Sequence, residues 1–78
     1  MEEKIIKLIS EVKEDESLVS AIYKDTNIID DIGLDSLQMI NFMLRIEEET
    51  GVEIDFDIFD FSNLSSVQIF AEYLEERI

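Results

Sequence analysis

At 78 residues the chain is long enough for one small domain, whose core removes only about 60% of the unfolded chain's surface. It has no cysteine, histidine, tryptophan or proline, which excludes disulfides, zinc sites of the usual kind and catalysis by cysteine or histidine, so no enzyme of those classes is expected. Twenty acidic residues against six basic ones give a formal net charge of −14, which makes nucleic acid and membranes poor partners, while an apolar fraction of 46% argues against disorder.

The first helix is expected over about residues 2–13, because Ile5, Leu8, Ile9 and Val12 recur at i, i+3, i+4 and i+7 behind acids in the first turn. The opening Met1-Glu2-Glu3-Lys4 lacks the basic segment and apolar stretch of a signal peptide, and no apolar run approaches the roughly 20 residues of a membrane span. A cytoplasmic monomer is expected. From Glu14 to Leu34 the periodicity weakens into a long connection, although Leu18 and Ile22 fit one short helical turn. Ile28, Ile29, Ile32 and Leu34 are too apolar for a solvated loop and read as plugs that fasten it to the core.

Asp25, Asn27, Asp30 and Asp31 in this loop invite comparison with a calcium site. An EF-hand loop starting at Asp25 needs glycine at its sixth place and glutamate at its twelfth, where this chain has Asp30 and Ser36. No metal site is therefore expected.

The second main helix is expected over about residues 36–50, closed by Gly51 in a left-handed cap. Met39, Phe42, Met43 and Ile46 form one apolar stripe, and Leu37, Ile40 and Leu44 form another, roughly 140° around the helix from the first. Either both stripes are core, or the second is a docking surface beside Ser36, flanked by Asn41, Arg45 and Glu48. Asp55 can cap a short helix over about residues 56–60. Phe56, Phe59 and Phe61 either cap the core with their rings or contribute to a pocket mouth or docking surface. The last helix is expected over about residues 66–77, with Ser65 and Gln68 as a capping box and Val67, Phe70, Ala71, Leu74 and Ile78 along its apolar side. The sum is an all-α fold, a small antiparallel four-helix bundle of three main helices and a short third one, spanning residues 1–78 as one domain.

Asp35-Ser36-Leu37 carries the only distinctive chemistry. At a helix start the first N–H groups are unpaired and the macrodipole is positive, so a phosphodiester on the Ser36 hydroxyl would meet favourable electrostatics. Local physics alone favours an ordinary N-cap at Asp35 and Ser36.

The stretch Ile28-Ile29-Asp30-Asp31-Ile32-Gly33-Leu34-Asp35-Ser36-Leu37 resembles the attachment segment of the acyl carrier protein family. The similarity continues through Ile46-Glu47-Glu48-Glu49, Gly51-Val52-Glu53-Ile54 and Leu64-Ser65-Ser66-Val67. The resemblance implies an acyl-carrier-like bundle that is a carrier and not an enzyme. Ser36 would bear 4′-phosphopantetheine, delivered from coenzyme A by a magnesium-dependent phosphopantetheinyl transferase. Asp35 would orient the serine and contact the transferase, and Leu37 would pack against the arm or an incoming enzyme. Met39, Phe42, Met43 and Ile46 would line an interior in which the family shelters apolar chains. Acyl or aminoacyl groups would ride on the arm as thioesters.

Carriers for fatty-acid synthesis usually place acids just after this tripeptide and along the exposed side of the second main helix, where this chain has Gln38, Asn41 and Arg45. The expected partners are therefore loading and transfer enzymes with basic or apolar docking patches, met through Leu37, Ile40, Asn41, Leu44, Arg45 and Glu48 in a specialised biosynthetic pathway. A general fatty-acid carrier is the alternative within the family, and an unmodified acidic interaction module the alternative outside it.

Overall fold

The computed structural model describes residues 1–78 as an all-helical bundle with no strands. Helix α1 spans Glu2–Lys13, α2 Leu18–Ala21, α3 Ser36–Thr50 and α4 Val67–Glu75, with a 3₁₀ turn at Phe61–Leu64. No helix is long and apolar enough to cross a membrane.

Both early main helices lie where their periodicity placed them. In α1 the stripe of Ile5, Leu8, Ile9 and Val12 is buried, and the helix packs against α2, α3 and α4. In α3 Phe42, Met43 and Ile46 are buried, and Gly51 ends the helix at φ 77° with its N–H donating to the Glu47 carbonyl at 2.7 Å. Only a residue tolerant of the left-handed region can close the helix in this way.

The long connection is tied down rather than loose. Ile28 is fully buried, and its N–H donates to the Leu64 carbonyl at 3.0 Å. The carbonyls of Lys24 and Thr26 accept from the N–H groups of Gln68 and Val67 at 2.9 and 3.1 Å, so the loop satisfies donors that the start of α4 leaves unpaired. Of the four expected plugs, Ile28 is core and Ile32 and Leu34 are half-buried, whereas Ile29 is exposed.

Two expectations about the second half need correction. Residues 56–60 do not form a helix. The Asp55 carboxylate accepts from the Asp57 N–H at 2.9 Å and its carbonyl from the Ile58 and Phe59 N–H groups, which closes a single turn and goes no further. The short helical element starts instead after Asp60, whose side chain caps the 3₁₀ turn through the Ser62 N–H at 2.9 Å. The last helix is shorter than residues 66–77, and its cap is Ser66, which accepts from the Ile69 N–H at 3.0 Å, in place of a box made by Ser65 and Gln68. Ser66 has the extended backbone of an N-cap and Ser65 is still in the 3₁₀ turn's closing conformation, which decides between the two.

All five phenylalanines join in one aromatic chain. Phe42 meets Phe70 at 5.9 Å between ring centroids, Phe70 meets Phe59 at 6.3 Å, Phe59 meets Phe61 at 5.2 Å, and Phe61 stacks on Phe56 at 6.2 Å. The inner end, Phe42 and Phe70, is fully buried and bridges α3 and α4, while the outer end reaches the surface. Phe59 is core, as the capping-ring alternative requires, and Phe56 and Phe61 are not.

The acidic surface is largely uncompensated, because the twenty carboxylates share only two salt bridges, Arg45 to Glu11 and Arg77 to Glu76. Repulsion among the rest opposes the compact state and is relieved by screening. The melting temperature should rise when magnesium is added, as followed by circular dichroism; no rise, or a fall, would mean that the acids are balanced internally. Mild acidification should act in the same sense. Ser62, through its side chain and then its backbone N–H, holds the Asp60 carboxyl below the usual carboxylate range. That group's contribution is present above its unfolded pKa and is lost only as pH falls through the depressed folded value, after ordinary carboxylates have begun to protonate.

Candidate functional site

The site is assembled where the long connection delivers the chain to α3. Asn27 organises the approach, its Oδ1 accepting from the N–H groups of Ile29 and Asp30 at 2.9 and 2.8 Å, while Asp31 Oδ2 accepts from the Asn27 N–H at 2.9 Å. These polar side chains, which in sequence suggested a cation loop, serve the backbone of the turn. Gly33 then takes φ 71°, with its N–H donating to the Ile29 carbonyl at 3.1 Å, and turns the chain into Leu34 and Asp35.

Asp35 is the N-cap of α3, extended at φ −77° and ψ 177°, and it makes a reciprocal capping box with Gln38. Asp35 Oδ1 accepts from the Gln38 N–H at 2.7 Å, and Gln38 Oε1 accepts from the Asp35 N–H at 3.1 Å. Such a cap contributes about 1 kcal/mol and fixes the direction of the first turn. Lys13 Nζ approaches Gln38 Oε1 at 3.5 Å and links the box to the end of α1. The role of Gln38 is readable from the sequence as Asp35 followed three residues later by glutamine, the spacing of a capping box.

Ser36 is the first residue of α3 and is exposed. Beside it lies an open groove of about 570 Å³, walled by Ile29, Leu34, Met39, Ile40, Phe56 and Phe61, with Asp35 and Ser36 completing the lining. A flexible chain attached to the Ser36 hydroxyl would start in water, next to a helix N-terminus that favours an anion and an apolar surface that favours carbon. The residues present therefore fit a phosphate-linked arm with an apolar load.

The second apolar stripe of α3 stands outside the core. Leu37 is 77% exposed, Leu44 54% and Ile40 47%, which removes the alternative that both stripes are buried. Asn41 and Arg45 lie at the α1 edge of this face. Arg45 Nη1 pairs with Glu11 Oε1 at 3.1 Å and its Nε donates to Asn41 Oδ1 at 3.3 Å, so this guanidinium is already engaged. Glu48 is exposed one turn beyond Leu44. Met39, expected inside the bundle with Phe42, Met43 and Ile46, is only half-buried and turns toward the groove.

Residues 3–74 match the family described as phosphopantetheine attachment site. The chain belongs to the acyl carrier protein family. It is similar to the acyl carrier protein of Nitratidesulfovibrio vulgaris, with 34% identity over 99% of this chain and 96% of that one. The corresponding protein of Rickettsia canadensis is 30% identical over 99% of this chain and 85% of its own length, and that of Thermotoga maritima 33% over 76% and 70%. No solved structure matches. As an acyl carrier protein the chain is a carrier and not an enzyme, and its cofactor is a covalently attached 4′-phosphopantetheine. Membership of the family implies work with a phosphopantetheinyl transferase and with acyl-handling enzymes.

The sequence shows the exposed stripe and offers the 56–61 phenylalanines for a pocket mouth, which Phe56 and Phe61 line, but it does not show the groove as a whole: Ile29, expected as a plug, is one of its walls. These residues come from three separate segments, and only folding brings them together.

Proposed function

We propose that residues 1–78 form one carrier domain in which Ser36 bears the phosphopantetheine. The observation that carries this reading is the meeting of three features at one residue: an exposed serine, the capped start of α3 and an apolar groove, inside the matched segment of a phosphopantetheine attachment family. Ser36 Oγ attacks the β-phosphorus of coenzyme A, and adenosine bisphosphate leaves. The arm supplies the thiol that the sequence lacks, on which acyl or aminoacyl groups are carried as thioesters. Asp35 holds the helix start so that Ser36 faces outward, and Leu37 stands beside it as the first contact for the transferase. The serine assignment is tested by loading a Ser36→Ala variant, with Ser62, Ser65 and Ser66 left as internal alternatives.

The contact face supports a specialised carrier over a general one. Gln38 is engaged in the cap and Arg45 in its pair with Glu11, so the neighbourhood of Leu37, Ile40 and Leu44 presents carbon rather than carboxylates. Enzymes docking here would meet an apolar stripe with Glu48 at its side, inside a negative field that hastens the approach of basic surfaces. Malonyl transfer by a general fatty-acid synthesis transferase should be inefficient on the loaded protein; efficient transfer would instead assign it to general fatty-acid synthesis. Replacing Ile40 and Leu44 together by alanine should lower kcat/KM with the cognate enzymes by about tenfold, as loss of central interface contacts does. Unchanged loading and transfer would show that the docking surface lies elsewhere.

A further inference from the structure

The interior of the bundle is filled. Phe42, Phe70, Ile46, Leu64 and Val67 are fully buried, and Phe42 and Phe70 close the space between α3 and α4 at 5.9 Å. Of the four hollows on the molecule, none is lined by Phe42, Met43 or Ile46. A chain entering here would have to displace packed rings, and cores at this density give way only at a cost of kilocalories. The groove beside Ser36 needs no such opening. Two of its walls, Phe56 and Phe61, are 39% and 41% exposed and stack on each other, and Phe61 also meets core Phe59 in a T-shaped contact at 5.2 Å between centroids.

We propose that the cargo of this carrier is a compact apolar acyl group that rests in the open groove against Ile40, Phe56 and Phe61, outside a bundle interior that the Phe42–Phe70 pair keeps shut. The inference rests on Ser36 being the attachment point. Tethering supplies the occupant: a group on the arm of a groove residue is held at high effective concentration, so a weak intrinsic affinity for the groove is enough. The open shape sets its size. A compact group can lay one face on the ring walls, whereas the far end of a long alkyl chain gains little from a surface that covers it on one side only. Phe56 and Phe61 are then the residues that set cargo preference, and their loss should leave the buried end of the aromatic chain intact.

The test uses the full chain loaded from coenzyme A and from its hexanoyl and dodecanoyl thioesters, with intact mass read first. If no phosphopantetheine mass appears, the attachment reading fails before this inference is reached. With mass confirmed, isoleucine-methyl and aromatic NMR spectra of the acyl forms are compared with the form bearing the bare arm. The expected result is that hexanoyl shifts Ile29, Ile40, Phe56 and Phe61 and leaves Ile46, Phe42 and Phe70 in place. Hydroxylamine, whose nitrogen attacks the thioester carbonyl and releases the thiol, should cleave the hexanoyl form roughly three- to tenfold more slowly than free hexanoyl-pantetheine. The dodecanoyl form should gain no further protection, and a double Phe56→Ala, Phe61→Ala variant with an unchanged far-UV spectrum should lose it. Shifts at Ile46, Phe42 and Phe70 that grow with chain length, equal shifts from the bare arm, or no shift at all would overturn the proposal.

Discussion

Truncating Phe70 to alanine should lower the melting temperature by roughly 12 °C or more, and leave the protein largely unfolded under conditions where the wild type is stable. Phe70 is fully buried in α4 and touches Phe42, Phe59 and Tyr73, with centroid distances of 5.9, 6.3 and 6.0 Å. Removing such a ring costs about 3–5 kcal/mol, because the cavity it leaves is lined by rigid neighbours that cannot collapse into it. A domain of this length has only about 4–12 kcal/mol in total. The loss is therefore a large share of the whole. The same truncation at half-exposed Phe61 should cost far less, since part of that ring is already in water. If Phe70→Ala moved the melting temperature by only a few degrees, the aromatic chain would not be the centre of the core.

Loss of loading in Ser36→Ala is the second large effect, and its logic is chemical. The transferase reaction forms a bond between Oγ and phosphorus, and alanine has no atom that can form it. Ser36 is exposed at the first residue of α3, so the substitution removes a hydroxyl from the surface and leaves the cap to Asp35 and Gln38. Stability should be nearly unchanged, which separates failure to react from failure to fold.

What could be read in advance followed the range of the interactions. Helices α1 and α3 are long enough for the spacing of Ile5, Leu8, Ile9 and Val12, or of Phe42, Met43 and Ile46, to show through, and Gly51 marks the end of α3 by its own backbone freedom. Of the short elements, the turn at Leu18–Ala21 showed in the spacing of Leu18 and Ile22, whereas the one after Val52 did not. Asp55 and Asp60 are both good caps, and which of them starts a helical element depends on where Phe59 and Leu64 find the core. The family resemblance was legible because the segment around Asp35-Ser36-Leu37 is local and distinctive. The groove was not, since Ile29, Ile40, Phe56 and Phe61 are neighbours only after the loop has been pinned by Ile28 to Leu64 and the aromatic chain has packed. Likewise, the pairing of Arg45, expected at the flank of the docking stripe, with Glu11 appears only once α1 packs on α3.

The most direct measurement is intact mass after incubation with coenzyme A, magnesium and a broadly acting phosphopantetheinyl transferase. The wild-type chain should gain the mass of one phosphopantetheine, and Ser36→Ala, folded to the same far-UV spectrum, should gain nothing. A wild-type chain that stays unmodified, or a Ser36→Ala variant that still gains the mass, would contradict the assignment of the arm to Ser36.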